Sequence, residues 1–213
     1  YKRQVLGLAQ WLYPSPRDFE PEPETAPAKG FSRAFWLYLL AAACVAMGFA
    51  DFPLIALHLQ QQGGEAAGIP LLYALAMGVD ALAALGCGWL FDRIGLGSLL
   101  GAVALSAGFA PLAFSGSYGL AVVGMVLWGI GLGAQESVMK AAVAGMVVPE
   151  TRGFAFGLFT SIYGLAWFLG SALMGVLYDF SLPGLVTFSV AAQAVGAAIL
   201  GVLILRGQAG AGR

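Results

Sequence analysis

Charge is what this chain has least of. Of its 213 residues only 10% are Asp, Glu, Lys or Arg, against roughly 25% in an average soluble domain, while 60% are apolar against roughly 45–50%. A water-soluble globular domain is excluded on that imbalance. Histidine occurs once, at His58, and cysteine twice, at Cys44 and Cys87. Both cysteines lie inside apolar runs, which fits ordinary burial of small side chains better than a disulfide or metal framework. Ten basic residues against eleven acidic ones leave a net charge of −1, so no field recruits nucleic acid or an anionic substrate. No G-x-x-x-x-G-K-[ST] loop is present to take energy from a nucleotide, and no cofactor or metal is expected. The chain opens at Tyr1 without the charged region, short apolar core and cleavage site of a signal peptide, and so reads as a fragment.

Thirty-one glycines and ten prolines sit within this apolar excess. They follow no fixed period, which argues against collagen or disorder, and the glycines call for a packing explanation. Residues 1–32 hold PSPRDFEPEPETAPAKG, a proline-rich, mixed-charge stretch with the composition of an exposed cytoplasmic linker. From Phe31 onward come six apolar runs, near 34–59, 69–91, 97–115, 119–148, 154–178 and 184–205. Each is long enough to cross a bilayer core of ~30 Å, which takes about 20 helical residues. Backbone groups facing lipid must be satisfied internally, and the runs lack the two-residue alternation of barrel strands, so helices are required. The fold class is all-α: a bundle of six transmembrane helices over 33–206, with a short tail at 207–213.

Basic residues fix the orientation, since cytoplasmic loops keep Lys and Arg. One side of the six spans carries Lys2, Arg3, Arg17, Lys29, Arg33, Arg93, Arg152, Arg206 and Arg213, which is nine of the ten. The opposite turns carry none and show only Glu65, Asp179 and polar turns such as QQQGG and SGSYG. Both termini are therefore expected in the cytoplasm, in a bacterial-type inner membrane or a plasma membrane.

Three segments carry a family likeness: GWLFDRIG at Gly88 to Gly95, VPETRG at Val148 to Gly153, and a glycine-punctuated span ending GVLYD at Gly175 to Asp179. Together they resemble the major facilitator superfamily. In that family each six-helix half has a loop G-x-x-x-D-R-x-G between its second and third helices, matched by Gly88, Asp92, Arg93 and Gly95. The basic pair that usually follows is replaced by Leu96 and Gly97, a degeneracy more typical of the C-terminal half. P-x-x-R-G before the fifth helix of a half is matched by Pro149, Arg152 and Gly153. The resemblance implies a C-terminal half of a twelve-helix transporter, preceded by part of the central linker and lacking its N-terminal six-helix partner. It also implies a cytoplasmic latch at Gly88, Asp92, Arg93, Gly95, Arg152 and Gly153. Independently, Asp92 is placed to cap a neighbouring helix, and Arg93 and Arg152 to pair with acids of a facing bundle. The alternative is that Asp92 and Arg93 merely punctuate a tight turn.

Ionisable groups inside a span cost about 2.5–3.5 kcal/mol on insertion scales, so they normally face a bundle interior and mark function. Asp80 lies in the middle of the second span, with Tyr73 two turns away on the same face. Asp51 lies in GFADFP, where Pro53 removes a helical hydrogen bond and Gly48 weakens the turn before it, so the first span is expected to break there. A broken helix beside a carboxylate is a feature of transporter cavities. His58 shares Asp51's face about 10 Å farther along and is either an interfacial anchor or a titratable partner. In the fourth span Gly129, Gly133, Glu136 and Lys140 form one stripe, and Glu136 and Lys140 are spaced to meet as an ion pair, structural or switchable, with Gln135 beside them. In the fifth span Gly153, Gly157, Ser161, Gly164, Gly170, Ser171 and Gly175 read as a helix-packing signal. Tyr163, Trp167 and Phe168 interleave with them as core, lipid-facing or solute-stacking residues.

The functional expectation is a secondary transporter half that moves a small solute by alternating access, coupled to H+, through Asp51, Asp80, Glu136, Lys140, Gln135 and His58. The alternative is a non-transporting membrane scaffold or assembly subunit. An enzyme is not expected: Tyr178-Asp179 resembles half of an intramembrane aspartyl protease site, but no G-x-G-D accompanies it, and His58 has no G-x-S-G partner.

Overall fold

The computed structural model describes residues 30–63 and 68–211, with side chains as far as Arg206. The linker segment 1–29, with Lys2, Arg3, Arg17 and Lys29, lies outside the described residues, as do Glu65, Arg213 and the side chains of the tail. Eight α-helices make up the described chain: α1 Arg33–Met47, α2 Phe52–Gln61, α3 Gly68–Ile94, α4 Leu96–Ser106, α5 Phe109–Ala113, α6 Tyr118–Met146, α7 Arg152–Phe180 and α8 Leu182–Ala211. A 3-10 turn, Pro149–Thr151, leads into α7. Taken by length and apolarity these form six membrane-crossing units: α1 with α2, α3, α4 with α5, α6, the 3-10 turn with α7, and α8 to Arg206.

Local chemistry explains the boundaries. Ser32 caps α1 by accepting from the Phe35 N–H at 3.2 Å, a contact of about 1 kcal/mol. The first span then breaks over Gly48–Ala50, where the sequence leads one to expect it, and restarts with Asp51 at the cap and Pro53 in the first turn. Proline is tolerated there because the N–H it lacks has no intrahelical partner in any case. Gly95 sits at φ +59° between α3 and α4, a conformation open to glycine at little cost. Ala107 and Gly108 interrupt the third span between α4 and α5.

The helices pack by a rule that repeats. The first span lies against α8 and α7; in the same way α6 lies against the third span and α3. Spans one and four are thus the central members of two three-helix groupings. Glycine sets the close approaches. A Cβ at Gly129 would stand 2.5 Å from the Ala76 carbonyl oxygen, and one at Gly133 would strike the Asp80 carbonyl oxygen, so α3 and α6 touch backbone to backbone. Against lipid, such van der Waals contact is what drives helices together. On α7 the expectation was broader than the outcome. Gly170 abuts the Met47 backbone, whereas Gly153, Gly157, Gly164 and Gly175 meet nothing within 4 Å, because they lie on faces of α7 that no described helix covers.

Two apolar cores stack along the bundle. One gathers Phe35, Tyr38, Val138, Met139, Phe159 and Leu200; the other gathers Phe49, Ile55, Phe109, Phe114, Trp128 and Leu185. Between them the break in the first span exposes backbone carbonyls, each costing about 1–3 kcal/mol if left unpaired and buried. Ser189 Oγ donates to Gly48 O at 2.6 Å, Gln193 Nε2 to the same oxygen at 3.4 Å, and Trp128 Nε1 to Ala50 O at 2.9 Å. Ser106 Oγ adds a bond to Gln193 Oε1 at 3.3 Å. Ser106, Ser189 and Gln193 are all buried. They are structural residues, satisfying a helix that stops in mid-membrane.

Candidate functional site

Consecutive spans joined by short turns run antiparallel, so Arg33, Arg93, Arg152 and Arg206 fall at one end of the bundle, termed here the arginine end. Two cavities lie along the groove bounded by the first span, α6 and α7. Leu132, Gln135, Glu136 and Lys140 of α6 and Phe159, Thr160, Tyr163 and Trp167 of α7 line a cavity of about 250 Å³ in the half toward the arginine end. Asp51, Pro53, Leu54 and Leu57 of the first span, with Ser171 and Gly175 of α7, line a second of about 290 Å³ toward the other end.

One hydrogen bond stands between them. Asp51 makes no capping bond to α2; its Oδ1 accepts from the indole N–H of Trp167. Trp167 belongs to the wall of the first cavity and Asp51 to that of the second, so the bond links the two walls at the level of the broken helix. Trp167 is held from behind by Phe49 and Tyr163, with ring centroids at 5.6 and 5.7 Å.

The first cavity brings together three of the residues singled out in the sequence. Gln135 is oriented from two sides: its Nε2 donates to Gly131 O at 3.0 Å, and its Oε1 accepts from Tyr163 Oη at 2.9 Å. Glu136 and Lys140 both line the wall, yet no ion pair joins them among the described residues, against the expectation from their spacing. The anticipated stripe divides. Gly129 and Gly133 are spent on the approach to α3, which continues at Ser137, its Oγ donating to Ala84 O at 3.0 Å, while Glu136 and Lys140 are left exposed. Asp80 borders this group from α3. Its carbonyl abuts Gly133, and its Oδ1 is buried without a hydrogen-bond partner among the described residues.

His58 stands apart and corrects its expected place. It is 2% exposed, so it is no interfacial anchor, and it does not meet Asp51. Its Nδ1 lies 3.1 Å from Tyr178 Oη, which donates to Gln61 Oε1 at 2.8 Å. Both Asp51 and His58 therefore fasten the first span's second half to α7, at Trp167 and Tyr178. Among the described residues the motif residues of the arginine end make no ion pair with one another. Among the described residues Asp92 caps no helix, the cap of α4 being Gly95; Arg93 folds over Trp89, its guanidinium carbon 3.4 Å from the ring centroid. Arg152 and Gly153 are exposed at the start of α7, and Gly88 faces Ser137 Oγ across α6.

The sequence reading omitted Thr160 from the site and left Tyr163 and Trp167 undecided. Their shared signal is the 160, 163, 167 spacing, which puts three hydrogen-bonding side chains on one face of α7. Phe168, adjacent in sequence, is exposed on another face.

A family model described as Major Facilitator Superfamily matches residues 34–211. The chain belongs to the major facilitator superfamily. It is an integral membrane protein of this family, whose members are transporters. An uncharacterized protein of Mycobacterium bovis and another of Mycobacterium tuberculosis are each 35% identical to it over 204 residues, covering 89% of this chain. The alignment takes in 49% of each relative, so the chain spans about half the length of the curated relatives it matches.

Proposed function

We propose that this chain is the C-terminal six-helix half of a twelve-helix secondary transporter that moves a small solute by alternating access, coupled to H+. The observation carrying this reading is the position of the Asp51–Trp167 bond: at the level of the broken helix it joins the wall of one cavity on the arginine side to that of another on the opposite side. Alternating access is the rocking of one half against the other around a site at mid-depth beside a discontinuous helix, and Asp51 lies at such a break. An N-terminal six-helix half closes the groove from the other face, and the open glycines and apolar side chains of α3 and α7 form the meeting surface. Both termini lie in the cytoplasm of a bacterial-type inner or plasma membrane, as the arginine end indicates. Asp92, Arg93 and Arg152 at that end pair with the other half when the cytoplasmic side shuts. Asp80 carries the proton, its buried oxygen taking up H+ when the groove wets.

The test uses the full-length protein in liposomes with a trapped pH-sensitive dye, challenged with amino acids, sugars and carboxylic acids. A solute-dependent proton flux is expected, and Asp80→Asn lowers it. No flux with any solute rejects proton-coupled transport; unchanged flux and pH dependence in Asp80→Asn rejects the role given to Asp80.

A further inference from the structure

The cavity of α6 and α7 presents one cation and one anion that do not neutralise each other. Lys140 and Glu136 are four residues apart on one helix, about 6 Å along its axis, and both line the same wall. A monoanionic solute that paired with Lys140 would leave Glu136 facing it, and a monocation that paired with Glu136 would leave Lys140 facing it. Either arrangement sets a like charge beside the solute, which penalises binding. A solute bearing both charges a short distance apart satisfies both groups at once.

The rest of the wall fits the same description. On the same wall, Gln135 spends one amide hydrogen on Gly131 O and retains a second, and its orientation is fixed by Tyr163. Thr160 offers a hydroxyl from α7. These are donors suited to a carboxylate. The remaining surface is the apolar face of Leu132, Phe159 and Trp167, and Trp167 is held in position by its bond to Asp51. In this half of the protein the cavity measures about 250 Å³.

From this arrangement we infer that the solute is a small zwitterion with an apolar body, of the amino-acid class, its ammonium on Glu136 and its carboxylate on Lys140. The inference rests on the transporter reading for the cavity's role as a solute site, and two measurements separate them. In the first, binding to the purified full-length protein is measured by calorimetry for L-phenylalanine, L-leucine and L-alanine, and for the singly charged 3-phenylpropionate and phenethylamine. L-Phenylalanine or L-leucine binds at least about tenfold more tightly than either singly charged probe, a difference of ~1.4 kcal/mol. Lys140→Met removes the preference over phenethylamine, Glu136→Gln removes the preference over 3-phenylpropionate, and both variants keep the wild-type melting profile. Equal or weaker binding of all three zwitterions, or a preference indifferent to both substitutions, overturns the inference.

The second measurement is the dye-loaded liposome assay with the same probes and a set of sugars. Proton flux driven only by sugars or by a singly charged probe overturns the zwitterion and leaves the transporter reading standing. Zwitterion binding that depends on Lys140 and Glu136, with no flux for any solute, keeps the site and overturns the transporter. Neither binding nor flux overturns both.

Discussion

If the Asp51–Trp167 contact is the partition between the two cavities, its strength sets how readily the groove opens, and that strength is measurable as a coupling energy. The bond joins an indole N–H to a carboxylate oxygen at the cap of α2, where the carboxylate has no competing capping bond. Hydrogen bonds to charged groups contribute about 1.5–3 kcal/mol, roughly twice a neutral bond. Trp167→Phe removes the donor while keeping an aromatic ring against Phe49 and Tyr163, and Asp51→Ala removes the acceptor. Each single variant also changes packing, so neither alone isolates the bond. A double-mutant cycle does, because packing losses at two sites that touch only through this bond cancel in the difference. Reversible unfolding of the full-length protein in detergent, followed by tryptophan-independent circular dichroism, gives the four stabilities. The coupling term is expected at about 1.5–3 kcal/mol, or ~10–150-fold in an equilibrium constant. A term below ~0.5 kcal/mol refutes the reasoning, since the two side chains would then lose nothing by being separated, and the cavities would have no barrier built from them.

Gly170→Val adds a side chain where the Met47 backbone already stands, and neither helix offers a flexible atom to yield, so a loss of about 1–3 kcal/mol or failure to fold is expected, whereas Gly157→Ala, with nothing within 4 Å, stays within ~0.5 kcal/mol by the same unfolding measurement. On a background with Cys44 and Cys87 replaced by alanine, a cysteine at Arg206 reacts with a membrane-impermeant maleimide only after the cell membrane is opened, and one at Gln62 reacts in intact cells; the reverse pattern inverts the orientation given above.

What the chain's sequence settled by itself is the set of properties that depend on one segment at a time. Transfer of an apolar run into lipid is nearly additive over its own residues, so six spans and their approximate limits were legible without knowing what packs on what. The break at Gly48–Ala50 was legible for the same reason, since Gly48, Asp51 and Pro53 carry local backbone preferences. The family signal was legible in Gly88, Asp92, Arg93 and Gly95, which shape a single turn. Tertiary structure decided everything that depends on helix rotation. Ser189 and Gln193 meet Gly48 from more than 140 residues away, and no local preference marks them as the groups that satisfy its carbonyl. His58 reads as a polar residue near a helix end, yet the approach of α7 and α5 buries it between Tyr178 and Phe114. Gly129 and Gly133 share a stripe with Glu136 and Lys140, and only the line along which α3 crosses α6, through Gly129, Gly133 and Ser137, determines that the first two become contact and the last two become cavity. Lipid offers each apolar face the same solvation as a neighbouring helix does, so hydropathy is silent on which face turns inward, and shape complementarity between distant segments makes that choice.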